Sequence, residues 1–476
     1  MNLNPFRQRN KYDLTKASEE FTQDILKDFN AHRPNGPQSK ICQAPFKNIY
    51  FAHRGKAVAC CWNRSYVLGN YPERSIKEIW FGKEAEDLRL YISENNLEHG
   101  CQGCKSHILA GSYDVVKAKQ YDQHRENTNH YPSVMEFELS NTCNLECEMC
   151  SGDFSSLIRK NREGRSPLME PYDSAFVDQL EEFIPHLEEV KFYGGEPFLI
   201  EIYYEIWERI IKLNPSVRIS VQTNCTTLNN RVKRIMEQSE FHIGLSIDSF
   251  VKPTYERIRK NAKYERTMEN LQWFRQYCKE RDTYFGISAC AMQQNWHELA
   301  DFVRKCNELE SPVSLHTVFL PKKSSFQTLG KEELLRMIGI LEKEEFPTDT
   351  PIEVKNKHHF EDLIRQLKHL VEEKEKKNPN GPKVETVEDL KQFVTAFISG
   401  HQAWSDSVKS ERQKKILSKL RELEEALEKD FDYAEVFANW DFDNAVFLDY
   451  VLNDIETSDT HDLTSQFKSN YWVEHQ

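Results

Sequence analysis

The sequence predicts an α/β protein, either an open parallel sheet or part of a (β/α) barrel, flanked by a cysteine-rich segment and a charged helical tail. Two observations carry this. Between 133 and about 321, short apolar runs alternate with amphipathic helical stretches. Twelve cysteines stand at 42, 60, 61, 101, 104, 143, 147, 150, 225, 278, 290 and 306, leaving the last 170 residues with none.

Taken in order, residues 1–40 form an extension whose stretch LTKASEEFTQDILKDF reads as a short helix, followed by the breaker-rich NAHRPNGPQSK. Residues 41–110 hold five cysteines interspersed with Pro45, Gly55, Gly69, Gly82, Gly100 and Gly103. With so little continuous apolar pattern, this segment is expected to fold around something that binds its thiolates. A linker over 111–132 leads into 133–325. There the strand candidates are SVMEFELS (133–140), EEVKFYG (188–194), VRISVQTN (217–224), FHIGLSID (241–248), TYFGISACAM (283–292) and VSLHTVFL (313–320). Helical stretches such as PYDSAFVDQLEEFI, EIYYEIWERIIKLN, LNNRVKRIMEQS and TMENLQWFRQYCKE separate them. Strands alternating with helices imply a parallel sheet covered by helices, with its chemistry at the C-terminal strand ends. Residues 326–476 are charged and helical. Leu363, Leu367 and Leu370 share one helix face, as do Ile416, Leu420, Leu423 and Leu427. Thr386 and Asp389 resemble a capping box ahead of LKQFVTAFI, and NPNGPK (378–383) reads as a loop.

At 476 residues the chain can bury cores without disulfide staples, so clustered cysteines point to metal binding in a reducing compartment. The first residues lack a signal-peptide core, and no stretch approaches 18 uncharged apolar residues, so a soluble, cytoplasmic protein without a membrane partner is expected. The net charge of −13, from 63 Lys plus Arg against 76 Asp plus Glu, disfavours extended nucleic-acid binding.

The strongest chemical signal is Cys143-Asn-Leu-Glu-Cys147-Glu-Met-Cys150, directly after the first barrel strand. Three thiolates within eight residues can hold three corners of a four-iron, four-sulfur cube and leave the fourth iron open. An open iron can chelate the amino and carboxylate groups of a methionine moiety and place its sulfonium beside a reducing cluster. Closed zinc ligation, with Cys101, Cys104 or a histidine as the fourth ligand, and simple core packing are the alternatives.

CxxxCxxC after a first strand, with Gly194-Gly195-Glu196-Pro197 closing the second, resembles the radical S-adenosylmethionine superfamily over about 133–321. The resemblance implies a partial (β/α)6 barrel. It also implies a [4Fe-4S] cluster on Cys143, Cys147 and Cys150 and reductive cleavage of S-adenosylmethionine to a 5'-deoxyadenosyl radical that abstracts a substrate hydrogen. Met149 stands where relatives often carry an aromatic beside the cofactor. The resemblance assigns the methionine amino group to Gly194, Gly195 and Glu196, although Glu196 also reads as a scaffold carboxylate bonding neighbouring backbone. Asn224 ends the third strand and, as a polar residue where an apolar strand stops, is expected to face the cofactor pocket. Ser246 and Asp248, in LSIDS, resemble the segment that meets the ribose and carboxylate, while remaining readable as ordinary polar residues. Phe319, with Val318 and Leu320, is placed either against the adenine or in the core. Tyr255, Arg257 and Arg259 follow this site, either facing the cofactor or on a solvated helix face.

Upstream, Cys42, the turn Gly55-Lys-Ala-Val-Ala-Cys60, Leu68-Gly69-Asn70, Ser75-Ile-Lys-Glu-Ile-Trp80 and Cys101-Gln-Gly-Cys104 resemble the SPASM and shortened twitch auxiliary domains of that superfamily. Four plausible ligands, Cys42, Cys60, Cys101 and Cys104, fit one auxiliary [4Fe-4S] cluster, and zinc meets the same count. Cys61 is a spare thiol, set aside by the Gx4C spacing. This domain precedes the barrel, where relatives place it after; the linker is long enough to lay it across the barrel mouth. Cys225 reads as an inert buried thiol or as one near the pocket.

The resemblance implies an oxidoreductase that uses an external one-electron reductant such as flavodoxin or ferredoxin. Peptide or protein modification is the first expectation. Radical oxidoreduction or dehydration of a sugar or other small molecule is the alternative, and a non-catalytic cofactor-binding module that recruits partners is the third. Oligomeric state is left open.

Overall fold

The computed structural model describes residues 21–376 except 110, then 384–400, 406–427, 431, 433–437, 448, 451–452, 455–456 and 458–468. The first part of the expected N-terminal helix and the loop 378–383 lie outside the described residues; within them, that helix runs Gln23–Ala31.

All six expected strands form. In chain order the strands are β1 (Asn48–Ala52), β2 (Lys56–Val58), β3 (Gly69–Asn70), β4 (Val134–Glu138), β5 (Glu189–Phe192), β6 (Arg218–Thr223), β7 (Phe241–Ser246), β8 (Phe285–Ala291) and β9 (Val313–Thr317). They make one sheet in the order β3-β2-β1-β4-β5-β6-β7-β8-β9. From β1 through β4 to β9 every neighbour is parallel, and β2 and β3 are antiparallel additions. The (β/α)6 pattern therefore holds for β4–β9.

The cysteine-rich segment adds to this sheet. β1 pairs with β4 in register from Asn48↔Val134 to Ala52↔Glu138. It lies beside the first barrel strand, not across the mouth. Hydrophobic alternation does not reveal β1: NIYFA is buried on both faces, as expected of a parallel strand with neighbours on either side.

The two sheet faces differ in chemistry. Phe51, Phe137 and Phe192 stack along one face and meet Phe176, Tyr203 and Trp207 of the covering helices. Side chains alternate along a strand, so Glu136 and Glu138 project to the other, concave face. There Ser220 on β6 donates to Glu189 on β5, and Gln222 on β6 donates to Ser246 on β7.

The helix Pro351–Lys376 covers β9, and its buried Asn356 accepts from Val313 N at 2.7 Å and donates to Ser311 O at 2.9 Å. Phe360, Leu363, Leu367 and Val371 join the main core. Beyond residue 384 a second core forms around Leu390, Val394, Ile416, Leu420, Leu423, Leu463 and Phe467. Its first helix, Val387–Gly400, starts at the expected capping box: Asp389 N donates to Thr386 Oγ1 at 3.1 Å, and Thr386 N donates to Asp389 Oδ2 at 2.9 Å.

Candidate functional site

The loop carrying Cys143, Cys147 and Cys150 leaves the C-terminal end of β4 and is fastened on three sides. Asn141 donates to Gly152 O at 2.7 Å and its carbonyl accepts from Ser156 N, which cinches the loop ends. Glu146 N and Glu148 N donate to the carbonyls of Lys260 and Ile258. Arg162 donates to the Cys147 and Cys150 carbonyls at 2.9 and 3.1 Å. Burial and the neighbouring Cys147 push the Cys143 thiol up to about 12. Cys150 is raised by burial and by both partners. Cys147 is raised by burial and by the Asp248 charge, while Arg259 and Arg162 pull it back. Three convergent, protonated thiols suit a metal body that displaces their protons.

Gly194 and Gly195 bring the end of β5 against this loop. A Cβ on Gly195 would stand 2.2 Å from Thr142 O, and one on Gly194 2.6 Å from Ser140 O. Their close approach is thus to the backbone entering the thiol loop, closed by Gly195 N and Glu196 N donating to Ser140 O and Thr142 O. Glu196 is fully buried and accepts from Thr223 Oγ1 and Asn224 N at 2.7 Å and Phe198 N at 3.2 Å. Its carboxylate ties β5 to β6, and burial raises its pKa to about 7.

Asn224 donates to Asn144 Oδ1 at 3.1 Å, with its amide 3.8 Å from Cys143 Sγ. Ser246 accepts from Gln222 on the concave face. Asp248 is buried, accepts from Cys290 N and pairs with Arg259 at 2.8 Å, and that guanidinium is the charge felt by Cys147. Arg257 instead donates to Gln294 O. Met149 packs with Ile258, Met292 and Val318, whereas Phe319 is 62% exposed. Val318 thus joins Met149 and Phe319 does not. Cys225 is fully buried at positive φ, its thiol donating to Thr267 O, which makes it a packing residue.

A second set of thiols surrounds a cavity lined by Cys42, Cys60, Cys101 and Cys104, with Ile41, Trp62, Asn63, Leu97, Ile108 and Tyr121 among the walls. Burial and Cys104 push Cys42 up to about 12, and burial raises Cys104 to about 11 against the N–H groups of Ala118 and Lys117 that favour its thiolate. Asn63 Nδ2 lies 3.2 Å from Cys101 Sγ and Ala44 N 3.4 Å from Cys42 Sγ. Sulfurs that converge on one cavity and accept from N–H groups fit a bound iron–sulfur group. Zinc meets the same four-thiol count at this cavity.

Between the two sets lies the concave face. Glu138 takes a bidentate pair from Arg64 at 2.7 and 2.9 Å and a bond from Tyr50 at 2.6 Å, with His53 3.4 Å away. Burial alone would raise the Glu138 pKa, but Arg64 and His53 hold it far below the usual range. The alternation VMEFE carries the signal for these inward acids. Arg162, Asn144 and Lys117 give no such signal, since their partners are remote in sequence or on other segments.

Two family models match the chain: Radical SAM superfamily over residues 137–321 and the SPASM iron–sulfur cluster-binding domain over 42–105. An uncharacterised protein of Methanocaldococcus jannaschii is 24% identical over 227 residues, which is 46% of this chain and 72% of that protein. A cysteine-type anaerobic sulfatase-maturating enzyme of Clostridium novyi is 29% identical over 153 residues, covering 29% of this chain and 39% of the relative. A GTP 3',8-cyclase of Aquifex aeolicus is 30% identical over 118 residues, covering 24% and 35%. Among solved structures, anSMEcpe with bound AdoMet aligns at TM-score 0.34 and 16% identity over 43% of this chain and 58% of that one. Streptococcus suis SuiB bound to S-adenosylmethionine aligns at 0.34 and 16% over 56% and 57%. The chain thus spans a little over half of these solved structures. Among the described residues no helix is long and apolar enough to cross a membrane.

Proposed function

For a chain that belongs to the radical SAM superfamily and carries a SPASM iron–sulfur domain ahead of its barrel, we propose radical modification of a peptide or protein driven by reductive cleavage of S-adenosylmethionine. The observation that carries the chemistry is the fastened loop that gathers Cys143, Cys147 and Cys150 at the C-terminal end of β4. These three thiolates would hold the cofactor-binding cluster, and Cys42, Cys60, Cys101 and Cys104 the auxiliary one. When bound, the first cluster supplies one-electron cleavage of S-adenosylmethionine to methionine and a 5'-deoxyadenosyl radical.

The protein's own residues bind, shield and balance charge. Arg259, held by Asp248, offsets negative charge at Cys147. The Asn224 amide faces Cys143. Met149, Val318, Ile258 and Met292 form an apolar wall that keeps water from the thiol loop. Substrate enters the concave face, where Gln222 and Ser246 present hydrogen-bonding groups.

Similarity to a sulfatase-maturating enzyme supports a polypeptide substrate. The polar concave face, with a nucleotide cyclase among the relatives, supports a second reading in which a small polar molecule is the substrate. The test is anaerobic reconstitution with dithionite and S-adenosylmethionine, following 5'-deoxyadenosine. Cys147→Ala is expected to abolish its formation, and full activity in that variant refutes the ligand assignment. Cys101→Ala is expected to keep cleavage and lose turnover on substrate. Stimulation of cleavage by protease-sensitive cell material supports a peptide, and stimulation by protease-resistant small molecules supports the second reading. S-adenosylmethionine bound without cleavage leaves a non-catalytic module.

A further inference from the structure

The loop carrying Cys143, Cys147 and Cys150 lies close to the surface: Asn144 is exposed, and Cys143 and Cys150 are half-buried. Two segments border it. Residues 257–261 run beside the loop, with Ile258 O and Lys260 O accepting from Glu148 N and Glu146 N. The helix Ser156–Asn161 ends at Asn161, which donates to Glu146 at 3.2 Å. Arg162, next in the chain, is half-buried and spans from solvent to the Cys147 and Cys150 carbonyls.

This border is basic in a chain whose net charge is −13. Lys160 and Arg257 are exposed, and so is Lys323, whose carbonyl accepts from Gln294 at 3.3 Å. Gln294 joins these segments to the loop: its amide also donates to Glu148 at 3.3 Å, and its carbonyl accepts from Arg257 at 3.0 Å. Among the described residues no carboxylate pairs with Lys160, Arg257 or Lys323. The loop's own acids are taken up. Glu146 is buried, accepts from Asn161 and Asn261 and pairs with Lys260 at 3.5 Å, while Glu148 accepts from Gln294. What faces solvent around the thiol loop is therefore uncompensated positive charge.

We propose that Lys160, Arg257 and Lys323 form the docking surface for a small acidic electron-carrier protein that reduces the cluster of Cys143, Cys147 and Cys150. The proposal rests on the radical chemistry of the preceding subsection and names the surface through which its electron arrives. The carrier is oxidised by one electron and the cluster is reduced by one, with no covalent bond formed between the two proteins. Electron transfer weakens steeply with distance, so the carrier must sit where the thiol loop is nearest solvent, and the concave face is kept for substrate. A second acidic protein is repelled by the chain's overall negative charge and attracted at this patch, which both speeds its encounter and orients it.

Reduced bacterial flavodoxin, an acidic one-electron carrier, serves as the probe, set against dithionite, which is too small to need a docking surface. Iron-loaded full-length protein given flavodoxin and S-adenosylmethionine is expected to form 5'-deoxyadenosine at a rate that falls as salt rises from about 0.01 to about 0.3 M. The combined variant Lys160→Glu, Arg257→Glu, Lys323→Glu is expected to lower that rate about tenfold or more at low salt, with iron content and the dithionite-driven rate as in the wild type. Lys212 and Lys279 are exposed near the ends of the helices Glu201–Leu213 and Tyr264–Arg281, which lead into β6 and β8 at the opposite end of the sheet. Lys212→Glu with Lys279→Glu is expected to change neither rate. Independently of turnover, a carbodiimide that joins flavodoxin carboxylates to lysine amines is expected to give cross-linked peptides containing Lys160 and Lys323. An unchanged flavodoxin-driven rate in the triple variant, an equal loss in the Lys212 and Lys279 variant, or cross-links at neither Lys160 nor Lys323 overturns the assignment. Wild-type protein that forms no 5'-deoxyadenosine with dithionite defeats the radical reading and this proposal with it, whereas cleavage with dithionite and none with flavodoxin defeats this proposal alone.

Discussion

At Cys42 the pKa rises from 9.0 to about 12, driven by burial and then by Cys104, and at Cys143 it rises to about 12 through burial and Cys147. A raised thiol pKa means that the folded chain holds its proton more tightly than the unfolded one. The stabilising contribution is fully present below pH 9 and is lost as pH climbs towards 12. The chelated, iron-free protein is therefore expected to show a urea midpoint that falls between about pH 8 and pH 10, with Cys42→Ser flattening the fall. A midpoint that stays level across that window contradicts the clustering of buried thiols. Iron loading runs the other way, improving as pH rises, because each ligand must surrender its proton. Glu196 makes a separate prediction. Removing a buried carboxylate that accepts three hydrogen bonds leaves Thr223, Asn224 N and Phe198 N unmet. Glu196→Ala is expected to cost about 3 kcal/mol in denaturant unfolding, before any effect on catalysis.

Among the elements, the Gly194-Gly195 turn is held by close backbone packing. The glycines suggest close approach to a ligand, and the structure gives them a backbone neighbour, Thr142 O, at 2.2 Å from a hypothetical Gly195 Cβ. Gly195→Ala must therefore displace the strand that feeds the thiol loop. Iron bound by this variant is expected to fall to the share held by the auxiliary thiols, measured per chain after anaerobic reconstitution; wild-type iron content argues that the loop yields freely. The same contrast explains what the sequence reveals elsewhere. The six barrel strands are legible because each apolar run is flanked by amphipathic helices. β1 is hidden because NIYFA is short, buried on both faces and set among glycines and cysteines, and its partner β4 lies 86 residues further on. Cys143, Cys147 and Cys150 are legible as a contiguous pattern. Arg259 behind Cys147, Lys117 beside Cys61 and Arg162 beneath the loop arise from tertiary approach, which spacing alone does not encode.

Across the whole molecule, a buried ionic contact beside the thiol loop ties the second core to the first. Asp462, on the helix Thr460–Lys468, pairs with Arg159 and lies 3.5 Å from Arg165. Both arginines also face Asp153, three residues beyond Cys150, at 3.3 and 3.4 Å, and Arg54 of the N-terminal segment reaches the same carboxylate at 3.4 Å. The auxiliary segment, the cluster loop and the C-terminal core thus meet at a shared set of charges that are almost entirely out of solvent. Removing one member of a buried ion pair leaves the other charge uncompensated, at about 3–5 kcal/mol. Asp462→Ala leaves Arg54, Arg159 and Arg165 against Asp153 and Glu163, with one carboxylate fewer than the set now holds, and is expected to release the C-terminal helix before the barrel melts. Limited proteolysis should then cut first within 384–468 while the thiol-bearing barrel stays intact, and removing Arg159 as well should restore part of the loss. If Asp462→Ala leaves the proteolytic pattern and melting curve unchanged, this ion pair does not hold the two cores together, and the apolar contacts within each core are sufficient on their own.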